Sequence, residues 1–265
     1  MKLAIHGAAG RMGRAIAEIA FADGDVELKR AIDAPHSSHI GNDVGTLVRG
    51  GACGILIGAE LSSGLADVDV VIDFSTPAAT AALVRSCLER RVAAVIGTTG
   101  LSPDAGTAIG ELAKVAPVVV APNMSTAVTV LFHLAGEAAR LLGSDFDAEI
   151  VEMHHRHKTD APGGTALRLA EVVAHAKGLT KNDLVHGREG AVGARPARQI
   201  GVMAMRGGDV VGDHTLVLAG AGERIELSHR AQGREIFARG AVRAAKWVIG
   251  RDPGLYDMTD VLGIS

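Results

Sequence analysis

Along residues 1–145 the hydrophobic and polar positions fall into two alternating rhythms. Short, nearly continuous apolar runs, KLAIH (2–6), VELKRAI (26–32), VDVVIDF (68–74), VAAVIG (92–97) and PVVVAP (117–122), read as strands buried on both faces. Between them the apolar residues recur at helical spacing, over about 12–22, 77–90 and 103–115, and again from Ser125 to about 142. In the first of these helices Met12, Ile16, Ile19 and Ala20 share one face. Strand–helix repetition of this kind predicts a parallel sheet covered by helices on both sides. Residues 35–67 break the rhythm with scattered Gly, Ser and Asn, and GILIG (54–58) is the one strand candidate there.

After residue 145 the pattern changes. DAEIVEMHH (147–155) reads as a strand and 164–177 as a helix. RQIGVMAMR (198–206), GDHTLVLAG (212–220) and GERIELSHR (222–230) then alternate apolar and polar positions between glycine turns, which predicts a four-stranded antiparallel or mixed sheet with one face open. A helix over about 233–249 carries Trp247, and the tail GLYDMTDVLGI (254–264) is expected to pack back on the first domain. The division expected is 1–125 with 235–265 as one domain and 126–234 as the other.

Hydrophobic residues make up 48% of the 265 positions and charged residues 22%, which fits a soluble protein with a full core. Aromatics are only 3%, so that core must be built from Ala, Val, Leu and Ile. A net charge of −3 argues against general nucleic-acid binding. Cys53 and Cys87 are isolated and read as reduced thiols. No run approaches the ~20 apolar residues of a membrane span. Arg11 and Arg14 interrupt the apolar start, so it does not read as a signal peptide. The expected location is the cytoplasm.

The loop IHGAAGRMG (5–13) joins the first strand to the first helix, with Gly7, Gly10 and Gly13 three apart. Glycines there let the backbone turn tightly and approach a pyrophosphate at the positive end of the helix. Asp33 closes the second strand, where an acid can bind ribose hydroxyls. A carboxylate repels a 2′-phosphate and Ala34 supplies no cation, so NADH is favoured; Arg11 keeps NADPH open as a phosphate partner. The other strand ends carry small or polar residues, as a cofactor crevice does. The candidate cofactor contacts are therefore Gly7, Ala8, Ala9, Gly10, Arg11, Met12, Asp33, Gly97, Thr98, Thr99, Ala121, Pro122, Asn123 and Met124. Ser75, Thr76 and Ser125 are candidate helix caps as well. The fold class is α/β: an N-terminal Rossmann-like parallel-sheet domain plus a smaller α+β domain with a mixed, mainly open-faced sheet.

EMHHRHKTDAPGGTAL (152–167) concentrates the remaining chemistry. It runs from a strand end through a loop to a helix start, where the N–H groups of Gly163, Gly164 and Thr165 are free to bind a carboxylate. A metal site is disfavoured because no third ligand completes it. A solvated basic loop and structural histidines, His157 above all, account for some of its parts. An active site accounts for all of them: a histidine to supply a proton, a lysine to hold negative charge, and a helix mouth to grip an acid.

Taken together, GAAGRMG (7–13), DFSTP (73–77), GTTG (97–100), APNMS (121–125), the histidine block, RGGDVVGDHT (206–215) and FARGAVRAAKW (237–247) resemble the 4-hydroxy-tetrahydrodipicolinate (dihydrodipicolinate) reductase family over essentially the whole chain. Gly163 stands where many members have serine, and Ala34 where the family often has arginine. The resemblance implies an NADH- or NADPH-dependent oxidoreductase of the diaminopimelate route to lysine, acting on a small dicarboxylate. It implies His154 as proton donor, Lys158 as second catalytic group, and His155, Gly164 and Thr165 as substrate-binding positions, with Arg234 as an auxiliary carboxylate or closure residue. It implies closure of two domains around the ligands and a homotetramer built through the second sheet. Another two-domain NAD enzyme, such as a homoserine or aspartate dehydrogenase, and a non-catalytic NAD(H) sensor share the front-end logic. Neither has a use for His154 and Lys158 beside a helix mouth.

Overall fold

The computed structural model describes residues 1–61 and 65–264. The chain forms two compact units, Met1–Thr126 with Arg234–Ser265, and Ala127–Gly233.

In the first unit β1 (Lys2–His6), β2 (Glu27–Ile32), β3 (Ile57–Gly58), β4 (Val70–Asp73), β5 (Ala93–Ile96), β6 (Pro117–Val120) and β12 (Gly254–Tyr256) make one sheet in the order β12-β6-β5-β4-β1-β2-β3. Every pairing is parallel. Alternation along β1 decides which side chain meets which helix layer. Leu3 and Ile5 join the core with Ile16 and Ala17 of α1 (Arg11–Ala22) and Ala241 and Val248 of α7 (Glu235–Val248). Ala4 joins the opposite core with Leu83 and Val84 of α3 (Pro77–Arg90) and Ile109 and Leu112 of α4 (Pro103–Leu112). Both cores are almost wholly aliphatic, as the low aromatic content requires.

The tail does return to this unit. β12 pairs with β6, and Met258 and Val261 of α8 (Met258–Leu262) enter its core. The irregular stretch after β2 holds a short helix, α2 (Val44–Arg49), as well as β3; residues 62–64 of that stretch lie outside the described ones.

The second unit holds α5 (Thr126–Leu142), which begins at the last residue of the first unit, and α6 (Gly164–Ala176). Its sheet has five strands rather than the four expected, in the order β11-β10-β7-β9-β8. The addition is β8 (Leu184–Val185), too short to show alternation. β7 (Asp147–His154) pairs antiparallel with β10 (Gly212–Ala219) and parallel with β9 (Ile200–Arg206), and β11 (Arg224–Ala231) edges the sheet, so it is mixed. Leu131 and Ala135 of α5 and Leu169 and Val173 of α6 form a core with Ala148, Ile150, Val202, Leu216 and Leu218 of the sheet. Even-numbered positions of β7 therefore face the helices. The same register carries Glu152 and His154 to that face.

Candidate active site

In the first unit a cavity of about 550 Å³ opens beyond the carboxyl ends of β1, β2 and β4, lined by Gly7, Gly10, Asp33, Ala34, Phe74 and Ser75 among others. The glycines shape it. Gly7 holds φ at +79°, and a Cβ there would strike the Phe74 carbonyl oxygen. A Cβ on Gly13 would strike the Gly7 carbonyl oxygen and stand 2.6 Å from Ala8 Cα, so helix and loop touch backbone to backbone. α1 follows Gly10 as its N-cap, with no side-chain cap and no acid in its first turn, whereas Thr76 and Ser102 cap α3 and α4 with their side chains. An uncapped N-terminus facing a cavity behind a glycine turn fits a dinucleotide pyrophosphate.

The loop's own N–H groups are spent internally. Gly7 and Ala8 donate to the Ile32 carbonyl, Gly10 to that of Gly7, and Ala9 to Asp33 at 2.6 Å. The N–H groups of Gly7, Ala8, Ala9 and Gly10 are thus engaged within the loop, and Arg11 and Met12 stand in the first turn of α1. The other Asp33 oxygen accepts from the Ala34 N–H at 2.7 Å, which fixes the carboxylate at the cavity wall.

At the neighbouring strand ends the side chains point elsewhere. A Cβ on Gly97 would enter the Phe74 ring. Thr98 is buried and donates to Asp73 at 2.9 Å. Ala121 and Met124 are buried, whereas Thr99 and Pro122 are exposed and Asn123 is half-buried. Any contact from Gly97, Thr98, Ala121 or Met124 to a ligand is therefore a backbone contact.

Asp73 is the residue of this region that sequence reasoning missed as a site. It is fully buried and accepts from His6 Nδ1 at 2.7 Å, Ser75 Oγ at 2.6 Å, Thr80 Oγ1 at 2.5 Å and Thr98 Oγ1. Burial alone pushes such a carboxyl up; the hydrogen bonds from His6, Ser75 and Thr80 outweigh it and hold Asp73 below its ordinary range. The network ties β1, β4, β5 and α3 together at the cavity floor.

In the second unit β7 ends at His154, one residue earlier than the sequence pattern indicates, and His155 begins the loop. His154 Nδ1 lies 2.6 Å from Glu152 Oε2. Its Nε2 lies on the side of Gly212, the first residue of β10, where an added Cβ would stand 3.0 Å away. A Cβ on Gly163, which precedes α6, would stand 3.4 Å from His154 Cε1 and 3.5 Å from Lys158 Nζ. The imidazole, the ammonium and the helix mouth therefore converge around Gly163. Lys158 is held by Asp160 at 2.7 and 2.8 Å, and that ion pair keeps the Asp160 carboxyl below its ordinary range. Asp160 is largely exposed, so breaking this pair costs little.

α6 opens with no side-chain cap and no acid in its first turn. The N–H of Gly163, expected to be free, is donated to Glu152 at 3.0 Å. Gly164 and Thr165, two of the three positions named for substrate, form the first residues of α6. The His155 and His157 rings lie 6.2 Å apart in the loop. Arg234 belongs to the first unit, immediately before α7. Among the described residues no three His, Cys, Asp or Glu side chains converge as a metal-binding group.

Strand register supplies further residues. His214 sits opposite both Glu152 and His229, and Arg206 opposite His154. Alternation along β7 is the signal that marks Glu152 as an inward carboxylate; for Arg206 and His214 only the register shows it. His214 is buried against His154, ring centroids 5.2 Å apart and edge-on. Burial first, and the His154 charge second, push its imidazole down to about 4. Its unfolded counterpart takes up a proton near the ordinary ~6.5, so stability is full above that pH and is lost as pH falls, by roughly 2 kcal/mol at pH 5. Urea unfolding at pH 7.5 and pH 5 should show His214→Gln losing about 2 kcal/mol less than wild type over that interval. Equal losses would contradict the assignment.

A glycine turn at an uncapped helix under a parallel sheet, with a second unit in which an imidazole, an ammonium and a helix mouth converge, is the arrangement expected of a two-domain nicotinamide-dependent oxidoreductase. Residues 1–124 match the family model described as dihydrodipicolinate reductase, N-terminus, and residues 127–262 the model described as dihydrodipicolinate reductase, C-terminus. The chain is 49% identical over 265 residues to the 4-hydroxy-tetrahydrodipicolinate reductase of Myxococcus xanthus (strain DK1622), covering 99% of this chain and 98% of the relative. It is 51% identical to the protein of that name from Alkalilimnicola ehrlichii (strain ATCC BAA-1101 / DSM 17681 / MLHE-1), covering 99% of each. Its fold matches a dipicolinate-bound dihydrodipicolinate reductase from Paenisporosarcina sp. TG-14 with a TM-score of 0.78 and 26% identity, over 98% of each chain. The chain belongs to the dihydrodipicolinate reductase family.

Proposed function

We propose that the chain reduces 4-hydroxy-tetrahydrodipicolinate to tetrahydrodipicolinate and water in the diaminopimelate route to lysine, with His154 as proton donor. The observation that carries this is the convergence of His154, Lys158 and the mouth of α6 around Gly163. A bound nicotinamide dinucleotide supplies the hydride. Lys158 leaves Asp160 for a substrate carboxylate, the N–H groups of Gly164 and Thr165 and the His155 side chain hold the dicarboxylate, and His154 delivers its proton from Nε2 to the carbon beside the hydride acceptor. Dipicolinate, the ligand of the Paenisporosarcina relative, is a planar dicarboxylate and should inhibit competitively with substrate. Lys158→Ala should weaken its binding about 10- to 100-fold, the worth of one hydrogen-bonded charge. Unchanged affinity in that variant would remove Lys158 from the site.

Gly7–Met12 and Asp33 would hold the cofactor, with backbone contacts at 97–99 and 121–124. NADH is the favoured form, because the Asp33 carboxylate stands at the cavity wall with Ala34 beside it. Initial rates should give NADH a kcat/KM about tenfold or more above NADPH, and Asp33→Ser should narrow that ratio. A wild-type preference for NADPH would contradict this reading. The same proposal places the protein in the cytoplasm as a homotetramer. The sheet face away from α5 and α6, which carries the half-exposed Met205, is the surface offered for pairing. No described helix is long and apolar enough to cross a membrane.

A further inference from the structure

We infer that Glu152 is a positioning residue for this reaction: one buried carboxylate fixes the tautomer of His154 and ties it to the mouth of α6. The inference rests on the function proposed above.

Glu152 continues the inward register of Ala148 and Ile150 and is fully buried. A carboxylate there costs several kcal/mol unless its acceptor positions are filled. They are. Oε2 accepts from His154 Nδ1 at 2.6 Å and Arg206 Nη1 at 2.8 Å. Oε1 accepts from Arg206 Nη2 at 2.9 Å and the Gly163 N–H at 3.0 Å. Burial pushes this carboxyl up, but Arg206, His154 and Gly163 together hold it below its ordinary range, so it is ionised at neutral pH.

An ionised carboxylate only accepts hydrogen bonds. Nδ1 of His154 must therefore carry a hydrogen in both charge states of the ring, and Nε2 is the atom that gains and loses the proton. Arg206 is anchored in turn by donating to the Asp160 carbonyl at 2.5 Å, so the carboxylate is braced from the loop that carries Lys158. His214 packs edge-on against the ring without bonding to it. Through Gly163 the same carboxylate sets where α6 begins relative to His154. A simple ion pair with Arg206 would hold the fold together but would not choose between the nitrogens of His154.

The test uses full-length protein labelled with 15N in histidine, with the His154 signals identified by their loss in His154→Gln. In wild type, without substrate, Nδ1 is expected to stay protonated across a pH titration while Nε2 alone titrates. In Glu152→Gln the neutral ring is expected to populate the Nε2–H form, with kcat falling about 10- to 100-fold and NADH affinity unchanged. A neutral wild-type His154 that carries its hydrogen on Nε2 would overturn the inference, and this reading needs no variant of Glu152 to fold. So would a Glu152→Gln enzyme with wild-type kcat and tautomer. Wild-type protein that consumes no cofactor would instead remove the functional reading, while the tautomer would still be decided.

Discussion

His154→Ala is expected to lower kcat about 10²- to 10⁴-fold, the usual cost of removing a general acid. The affinity for NADH should stay within a factor of two or so of wild type, because the cofactor cavity lies wholly among residues of the first unit. The loss follows from where the ring stands. Nε2 faces the space beside Gly212, and the ring stands beside Gly163 and Lys158 at the helix mouth. His214, the nearest ring, is kept neutral by burial and is no substitute donor at neutral pH. Steady-state kinetics together with a cofactor titration separate the two quantities. Turnover near that of wild type would take the proton-donor role away from His154.

Gly13→Ala has the second large effect, and it is steric. The added methyl would meet the Gly7 carbonyl oxygen and the Ala8 backbone, and the N–H groups of both residues are tied to the Ile32 carbonyl of β2. Neither is the end of a flexible side chain, so α1 must move away from the loop. Overpacking of this kind costs about 1–3 kcal/mol. It also displaces the uncapped turn proposed to meet the pyrophosphate. The expected result is a lower Tm and an NADH Kd at least about tenfold higher, with dipicolinate binding kept. Calorimetric titration of both ligands reads it; unchanged NADH binding would mean that the loop does not carry the cofactor.

The parts of the fold legible beforehand are those that fall in the repeating alternation of apolar run and amphipathic helix. β1, β4, α3 and the run of β7 into α6 carry it. α2, β8, β12 and α8 each span six residues or fewer and stand outside that repeat, so nothing around them separates strand, helix and turn; β3 is the two-residue end of the candidate GILIG. The candidate site divides in the same way. His154, His155, Lys158, Gly164 and Thr165 are neighbours in sequence, so their chemistry could be read as one block. Arg206 and His214 reach it only through the pairing of β9 and β10 with β7, and His6 reaches Asp73 across 67 positions. Glu152 was within reach, since alternation along β7 points it inward, but a strand reading alone does not say that four donors await it.

Nicotinamide oxidation should be followed with the substrate formed in place from pyruvate and aspartate semialdehyde by the preceding synthase, with NADH and NADPH side by side. The account predicts cofactor oxidation that depends on that substrate, faster with NADH, and lost in His154→Ala. Folded wild-type protein that binds NADH and oxidises neither cofactor in the presence of substrate would contradict it.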